Sequence, residues 1–394
     1  MPTTPDIQIE VFGKTDVGLI REHNEDNFLI ADVSGGMRSN SFAEPQKLSL
    51  GEKGVALLVC DGMGGAAAGE VAAQMAVDSV YETLSAAPPM PRDGFARALR
   101  HAVEVANEAI FIQSRDNQSE RGMGTTCTVA ALTDSTLVVA QIGDSRCYVL
   151  RQQRLAQVTK DQSLAWQLIE AGAMTAEEAK AFEHANIILQ ALGVQDQVEV
   201  VLSQVELRQG DVILLCSDGL HGPVSDEEIL EVLNAESDLK RAGEALIQKA
   251  LDRDGPDNVT VVLARFGGSA LPAPSPGDQV TFVGYDPGPD PAGDVPTPLA
   301  PLVPSGGVAT VQERIPPELL HTTQDDVVTK AERERLAQMN ESGRQEIVSS
   351  APRSMRSVVA LFFLALVAAA VGGISVMKCE RDRTTTGDMR GGSP

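Results

Sequence analysis

Cysteine is scarce and unpaired in this chain of 394 residues: Cys60, Cys127, Cys147, Cys216 and Cys379 occur with no CxxC among them. Four lie in apolar runs of strand type, so they read as reduced core residues of an intracellular protein, not as a disulfide framework. No CX5R pattern offers a cysteine nucleophile. The five histidines are scattered and make no His/Cys cluster with zinc spacing, so any metal here must be held by oxygen. Positive charge is also short, with 32 Lys+Arg against 55 Asp+Glu and a formal net charge of -23. Residues 1–268 hold 21 of the basic and 40 of the acidic residues, which leaves -19 on that part. Such a balance excludes a phosphate-backbone partner, and no nucleic acid is expected. Met1 to Glu10 lacks the apolar core of a secretory signal.

The long hydrophobic run that is present lies at the far end. Ser357 to Met377 contains 21 residues without a charge, enough to span a bilayer core at ~1.5 Å per residue, and 17 residues follow it. Residues 269–310 are dense in Pro and Gly and have little periodicity, which marks a boundary. The expected order is a catalytic domain over 1–268, a disordered Pro/Gly-rich and charged linker over 269–356, a transmembrane helix over 357–377 and a short polar tail over 378–394. Within the linker, Thr323 to Met339 predicts a short solvated helix capped by Thr322 or Thr323.

Inside the first 268 residues the pattern is strand-first. Ile7 to Thr15 alternates apolar and polar residues, Asp26 to Ala31 follows, and Gly54 to Cys60 is a continuous apolar run of buried-strand type. Helical spacing covers Ala67 to Ser85 and Arg92 to Ser114, with Pro88, Pro89 and Pro91 stopping one helix and starting the next. Thr125 to Val158 predicts a meander of four antiparallel strands rich in Val, Thr and Leu. Helices are expected at Gln162 to Ala171, Ala176 to His184, Ser225 to Leu233 and Leu239 to Asp252. Strands are expected at Gln197 to Glu206, Asp211 to Cys216 and Asn258 to Phe266. The class is α+β.

Acidic residues recur where an apolar strand meets glycine: VCDGMGG at Asp61, IGDSR at Asp144 and LLCSDGL at Asp218, while GPDNVTVV opens the last strand at Asp257. A single Asp-Gly is only a turn signal. Four such acids beside buried strands, with Glu25 and Asp26 near the first strands, can converge at one sheet edge. Converging carboxylates repel and hold protons unless cations neutralise them. Oxygen-only ligation selects hard ions, Mg²⁺ or Mn²⁺, and two of them can share a water and aim it at phosphorus. Arg21, four residues before Glu25, can supply a bidentate fork for phosphate oxygens.

Taken together, RxxNED at Arg21 to Asp26, DGMGG at Asp61 to Gly65, GTT at Gly124 to Thr126, GDSR at Gly143 to Arg146, SDGL at Ser217 to Leu220 and DN at Asp257 to Asn258 resemble the metal-dependent protein phosphatases, the type 2C or PPM family, in its bacterial form. The likeness covers about residues 8–267. It implies a β-sandwich of two antiparallel sheets flanked by helices in α-β-β-α layers, with metals at one end. By that resemblance Asp61 bridges two cations, Mn²⁺ or Mg²⁺, Gly62 lends its carbonyl, Asp218 and Asp257 complete the first site and Glu25 holds the second through water. Arg21 grips the phosphate of a phosphoserine or phosphothreonine protein, and Arg21 and Asp61 carry catalysis, in which a water or hydroxide bridging the metals attacks phosphorus without a phosphoenzyme. The partners implied are phosphorylated proteins and an opposing serine/threonine kinase.

Three departures bear on detail. Met63 stands where eukaryotic members carry a histidine, so leaving-group protonation is unassigned. Ala66 and Gln162 replace histidines of the bacterial pattern. A third metal site needs a carboxylate four residues after Asp218, but Gly222 is there, so Asp144 should hold at most a weak third ion. Ala171 to Asn186 matches the family's flap and carries no readable substrate code. The alternative reading is a catalytically silent phosphatase-fold scaffold or regulator; retention of Glu25, Asp61, Asp218 and Asp257 favours the enzyme. The span at 357–377 predicts a membrane protein with a cytoplasmic catalytic domain. Arg344, Arg353 and Arg356 before the span nearly balance Lys378, Arg381, Arg383 and Arg390 after it, so orientation rests on the N-terminus and the reduced cysteines.

Overall fold

The computed structural model describes residues 6–64, 68–180, 182 and 187–288. The chain divides into two units at Ser305, and every described residue belongs to the first. The uncharged run at 357–377 and the helix expected over 323–339 lie outside the described residues. Among the described residues no helix is long and apolar enough to cross a membrane.

Two antiparallel sheets stack face to face. The first contains β1 (Gln8–Asp16), β4 (Gln46–Ser49), β9 (Arg146–Arg151), β10 (Arg154–Gln157), β12 (Val212–Cys216) and β13 (Val259–Gly267), in the order β10-β9-β12-β13-β1-β4. The second holds β2 (Asp26–Asp32), β3 (Met37–Ser39), β5 (Val55–Met63), β7 (Cys127–Thr133), β8 (Thr136–Ile142) and β11 (Val201–Glu206), in the order β11-β8-β7-β5-β2-β3, with β6 (Gly124–Thr125) pairing the end of β5. Val11, Ile30, Leu57, Val139, Ile213 and Val262 fill the space between the sheets. The central strands are covered on both faces, which is why β5 and β12 read as continuous apolar runs, whereas β1 alternates.

Helices close the outer faces. α1 (Ala68–Ala86) and α2 (Arg92–Asp116) bury alanine-rich stripes, Ala72, Ala73 and Ala76 on one and Ala98, Ala102 and Ala106 on the other, against the second sheet. Small side chains let these helices approach closely. α5 (Asp218–His221), α6 (Asp226–Ala235) and α7 (Leu239–Leu251) cover the first sheet. Ser225 and Glu228 form a capping box at the start of α6, and Asp238 caps α7 through the amide of Arg241. α3 (Leu164–Glu170) leads into the flap region, which holds α4 (Ala176–Lys180) and whose positions 181 and 183–186 fall outside the described residues. The layers are helix, sheet, sheet, helix.

Two sequence expectations need correction. The four strands of 125–158 are not one meander: β7 pairs β8 in the second sheet, while β9 pairs β10 in the first. The chain changes sheet at GDSR, where Gly143 takes φ +93° and a Cβ would meet Thr126 at 2.6 Å. Residues 269–288 are not free linker. Leu271 is buried in the inter-sheet core, Asp278 pairs with Arg151 and Arg208, and the amide of Tyr285 bonds the carbonyl of Leu202 at 2.9 Å, so this strap covers the exposed edge of β11. The proline count pointed to disorder, but backbone pairing and one buried leucine hold the segment down.

Candidate metal centre

Strand ends bring the acids together. β2 and β5 run antiparallel with Asp26 opposite Asp61, so Glu25 and Asp61 share one end of the second sheet. β12 ends at Cys216 and releases Asp218 into α5, while Asp257 and Asn258 sit just before antiparallel β13. Asp144 follows β8 at the sheet-changing turn. Glycine is demanded beside two of the acids by close backbone approach. A Cβ at Gly62 would lie 2.2 Å from the carbonyl oxygen of Gly69, and one at Gly219 would lie 1.9 Å from that of Asn258. The DG pairs therefore reflect packing as well as turns.

A hydrogen-bond frame holds these ends. Asp26, from the second sheet, accepts bonds from Thr260 of β13 at 2.6 Å and from Ser217, just past the end of β12, at 2.7 Å, and so clasps the sandwich beneath the centre. Thr126 accepts from the amide of Asp61 at 2.9 Å and returns its own amide to the Asp61 carbonyl at 2.9 Å. Asn258 donates to the carbonyls of Val17 and His23, both at 2.9 Å, and accepts from the amide of Glu25 at 2.8 Å. One asparagine thereby fixes the whole loop that carries Arg21. The sequence showed Asp26, Thr126 and Asn258 as motif members, but their clasp roles depend on pairings across up to 241 positions.

The electrostatics are those of crowded acids. Burial first, then the charges of Asp218, Asp26 and Asp144, push the Asp61 carboxyl well above the usual range. Burial and then Asp257 raise Asp218. Burial and Asp218 push Asp144 to about 8. Burial raises Glu25 against the pull of Arg21. Arg21, an exposed side chain, places Nη2 2.7 Å from Asp257 Oδ2. Arg21, Glu25, Asp61, Asp144, Asp218 and Asp257 thus form one electrostatic neighbourhood, and Gly62 follows Asp61 within β5. Asp257 is paired with Arg21, and no three His, Cys, Asp or Glu side chains among the described residues close into a ready-made cage.

The donor set still fits hard cations. Buried oxygens Asp26 Oδ1, Asp144 Oδ1 and Asp218 Oδ1 have no hydrogen-bond partner. An unpaired buried carboxylate oxygen is costly, and a divalent ion removes both that cost and the mutual repulsion. At the expected third site, Gly222 supplies no side chain, and Asp226 accepts from the Tyr148 hydroxyl at 2.9 Å. His221 Nε2 lies 3.1 Å from the Asp144 carbonyl, and burial holds its pKa well below 6.5. The buried cysteines are free thiols: Cys60, Cys127, Cys147 and Cys216.

An α-β-β-α sandwich with a carboxylate centre at one end, and an arginine bound to its rim, defines a PPM-type phosphatase fold. The chain belongs to the protein phosphatase 2C family, whose profile matches residues 46–259. It is 36% identical over 254 residues to the serine/threonine phosphatase stp of Listeria monocytogenes, covering 64% of this chain and 93% of that one. The solved catalytic domain of the serine/threonine protein phosphatase PstP, in complex with two manganese ions, superposes with a TM-score of 0.55 at 36% identity, covering 66% of this chain and 99% of that chain. The serine/threonine phosphatase Stp1 of Staphylococcus aureus superposes with a TM-score of 0.58 at 32% identity, covering 65% and 94%.

Proposed function

We infer that the protein is a metal-dependent serine/threonine protein phosphatase that hydrolyses phosphoserine and phosphothreonine on proteins with two divalent cations, Mn²⁺ or Mg²⁺. The observation that carries this reading is the set of buried, unpartnered carboxylate oxygens beside Arg21 at the end of the sandwich. The relatives' activity and the two manganese ions of PstP support it. Asp61, the Gly62 carbonyl, Asp218, Asp257 and Glu25 would hold the cations, with Asp144 at most a weak third ligand group. Bound, the cations supply charge neutralisation and an activated water. Arg21 uses one guanidinium nitrogen on Asp257 and keeps its other donors for phosphate oxygens. Asn258 and the Asp26 clasp keep these groups from relaxing apart, so orientation is set before substrate arrives.

The remaining features of this reading rest on the sequence. In this proposal the catalytic domain is followed by a linker and by a transmembrane helix at 357–377, with the domain on the cytoplasmic side on the strength of the N-terminus and the reduced cysteines, and it counteracts a membrane-associated serine/threonine kinase. Since 269–288 pack on the sandwich, the linker starts beyond them. Incubating the full chain with p-nitrophenyl phosphate and phosphothreonine peptides, in Mn²⁺, Mg²⁺ or chelator, tests the central reading. Turnover of both substrates that disappears in chelator is expected. Absence of turnover in both metals would favour the silent scaffold instead.

A further inference from the structure

Val17, Leu19 and Ile20 are 37%, 64% and 68% exposed, and the latter two are the most exposed large apolar side chains among the described residues. Their backbone is not loose. The amide of Gly18 bonds Asp16 Oδ1 at 2.9 Å, the amide of Leu19 bonds the Gly255 carbonyl at 2.9 Å, and Asn258 holds the Val17 carbonyl at 2.9 Å. Gly18 takes φ +76°, and a Cβ there would lie 2.2 Å from the Asp257 carbonyl oxygen. This loop is therefore fastened to the turn that carries Asp257, and it presents its apolar side chains at a fixed place beside Arg21. A rigid backbone that leaves leucine and isoleucine in water stores apolar area for something that binds there.

We propose that Leu19 and Ile20 form a substrate-docking rim that selects phosphoserine or phosphothreonine segments carrying an apolar side chain two or three positions from the phosphorylated residue. The proposal rests on the phosphatase reading and deepens it. Continuity with Arg21 names the occupant, because the guanidinium that takes the phosphate follows Ile20 directly in the chain. An extended peptide rises ~3.3 Å per residue, so side chains two or three positions away fall ~7–10 Å from the phosphate, the reach from an arginine head back to its neighbours. Acid-rich segments are poor occupants, since Glu22 and the centre's carboxylates flank the rim and residues 1–268 carry a net charge of -19. The same charge opposes an anionic bilayer surface.

The test compares two phosphothreonine peptides on the full chain, one with leucine at the second and third positions on both sides and one with glutamine there, each referred to p-nitrophenyl phosphate. Wild type should favour the leucine peptide about tenfold in kcat/KM. Leu19→Gln with Ile20→Gln should reduce that preference to near unity, mainly through KM. Leu19→Ala alone should give an intermediate preference, and it decides the matter if the double variant does not fold. Equal use of both peptides by wild type, or a preference that stays at the wild-type value in either variant, would overturn the rim. Failure of wild type on every substrate would instead reject the phosphatase reading.

Discussion

Arg21 and Gly222 are the residues at which chemistry departs most from packing. Arg21 touches the centre through one bond to Asp257, with its side chain about half in water, so Arg21→Ala removes a phosphate grip without opening the core. Steady-state kinetics on a phosphothreonine peptide should show KM rising about tenfold while kcat holds within about twofold. A pure kcat loss would contradict the role. Gly222 ends α5 with φ -67°, a conformation any residue adopts, and a Cβ there would meet the Asp218 carbonyl oxygen at 2.9 Å. Gly222→Asp is therefore sterically tight but free of backbone strain. Calorimetric titration of Mn²⁺ should reveal one additional or tighter site in Gly222→Asp than in wild type. Three sites of similar affinity in wild type would show that Asp144 needs no second carboxylate.

At the scale of elements, the strap after β13 is the largest surprise. Leu271 buried between the sheets, the paired Arg151–Asp278 contact and the bridge from Ser203 to Gly284 make residues 269–288 part of the sandwich. Ending the chain at 268 instead of 288 should lower thermal stability by ~3 kcal/mol, or roughly 5–10 °C in Tm. Equal melting of the two proteins would show that the strap merely rests on the surface. The long elements were legible beforehand because their signals are local. Continuous apolar runs marked β5 and β12, and prolines separated α1 from α2. The strap, the short strand β4 and the change of sheet at Gly143 were not legible, since each depends on a partner far along the chain, while β3, which pairs locally with β2, is only three residues long and too short to show a period. The acids of the centre were visible as strand-end Asp residues. Their framing by Asp26, Thr126 and Asn258 was not, because Ser, Thr and Asn carry no pattern of their own until the fold opposes them.

At the scale of the whole molecule, the proposal joins a cytoplasmic phosphatase to a membrane through the linker beyond 288. Protease treatment of sealed vesicles with their cytoplasmic face outward should digest the N-terminal domain; a protected domain would reverse the proposed orientation. The domain itself depends on charge balance. Its fold gathers Glu25, Asp61, Asp144, Asp218 and Asp257 at one end, and burial with like-charge repulsion raises Glu25, Asp61, Asp144 and Asp218 above ordinary carboxylates. Such an arrangement sacrifices stability for a cation-binding function. Turnover of a phosphothreonine peptide by the full chain, followed across buffered free Mn²⁺ for wild type and for Asp61→Asn, Asp218→Asn and Asp257→Asn, tests this most directly. Wild type should be silent in chelator and rise with metal, while each variant stays folded by circular dichroism and loses at least ~1000-fold in kcat/KM. Wild-type turnover in chelator, or near-normal turnover by any one of the three variants, would contradict it.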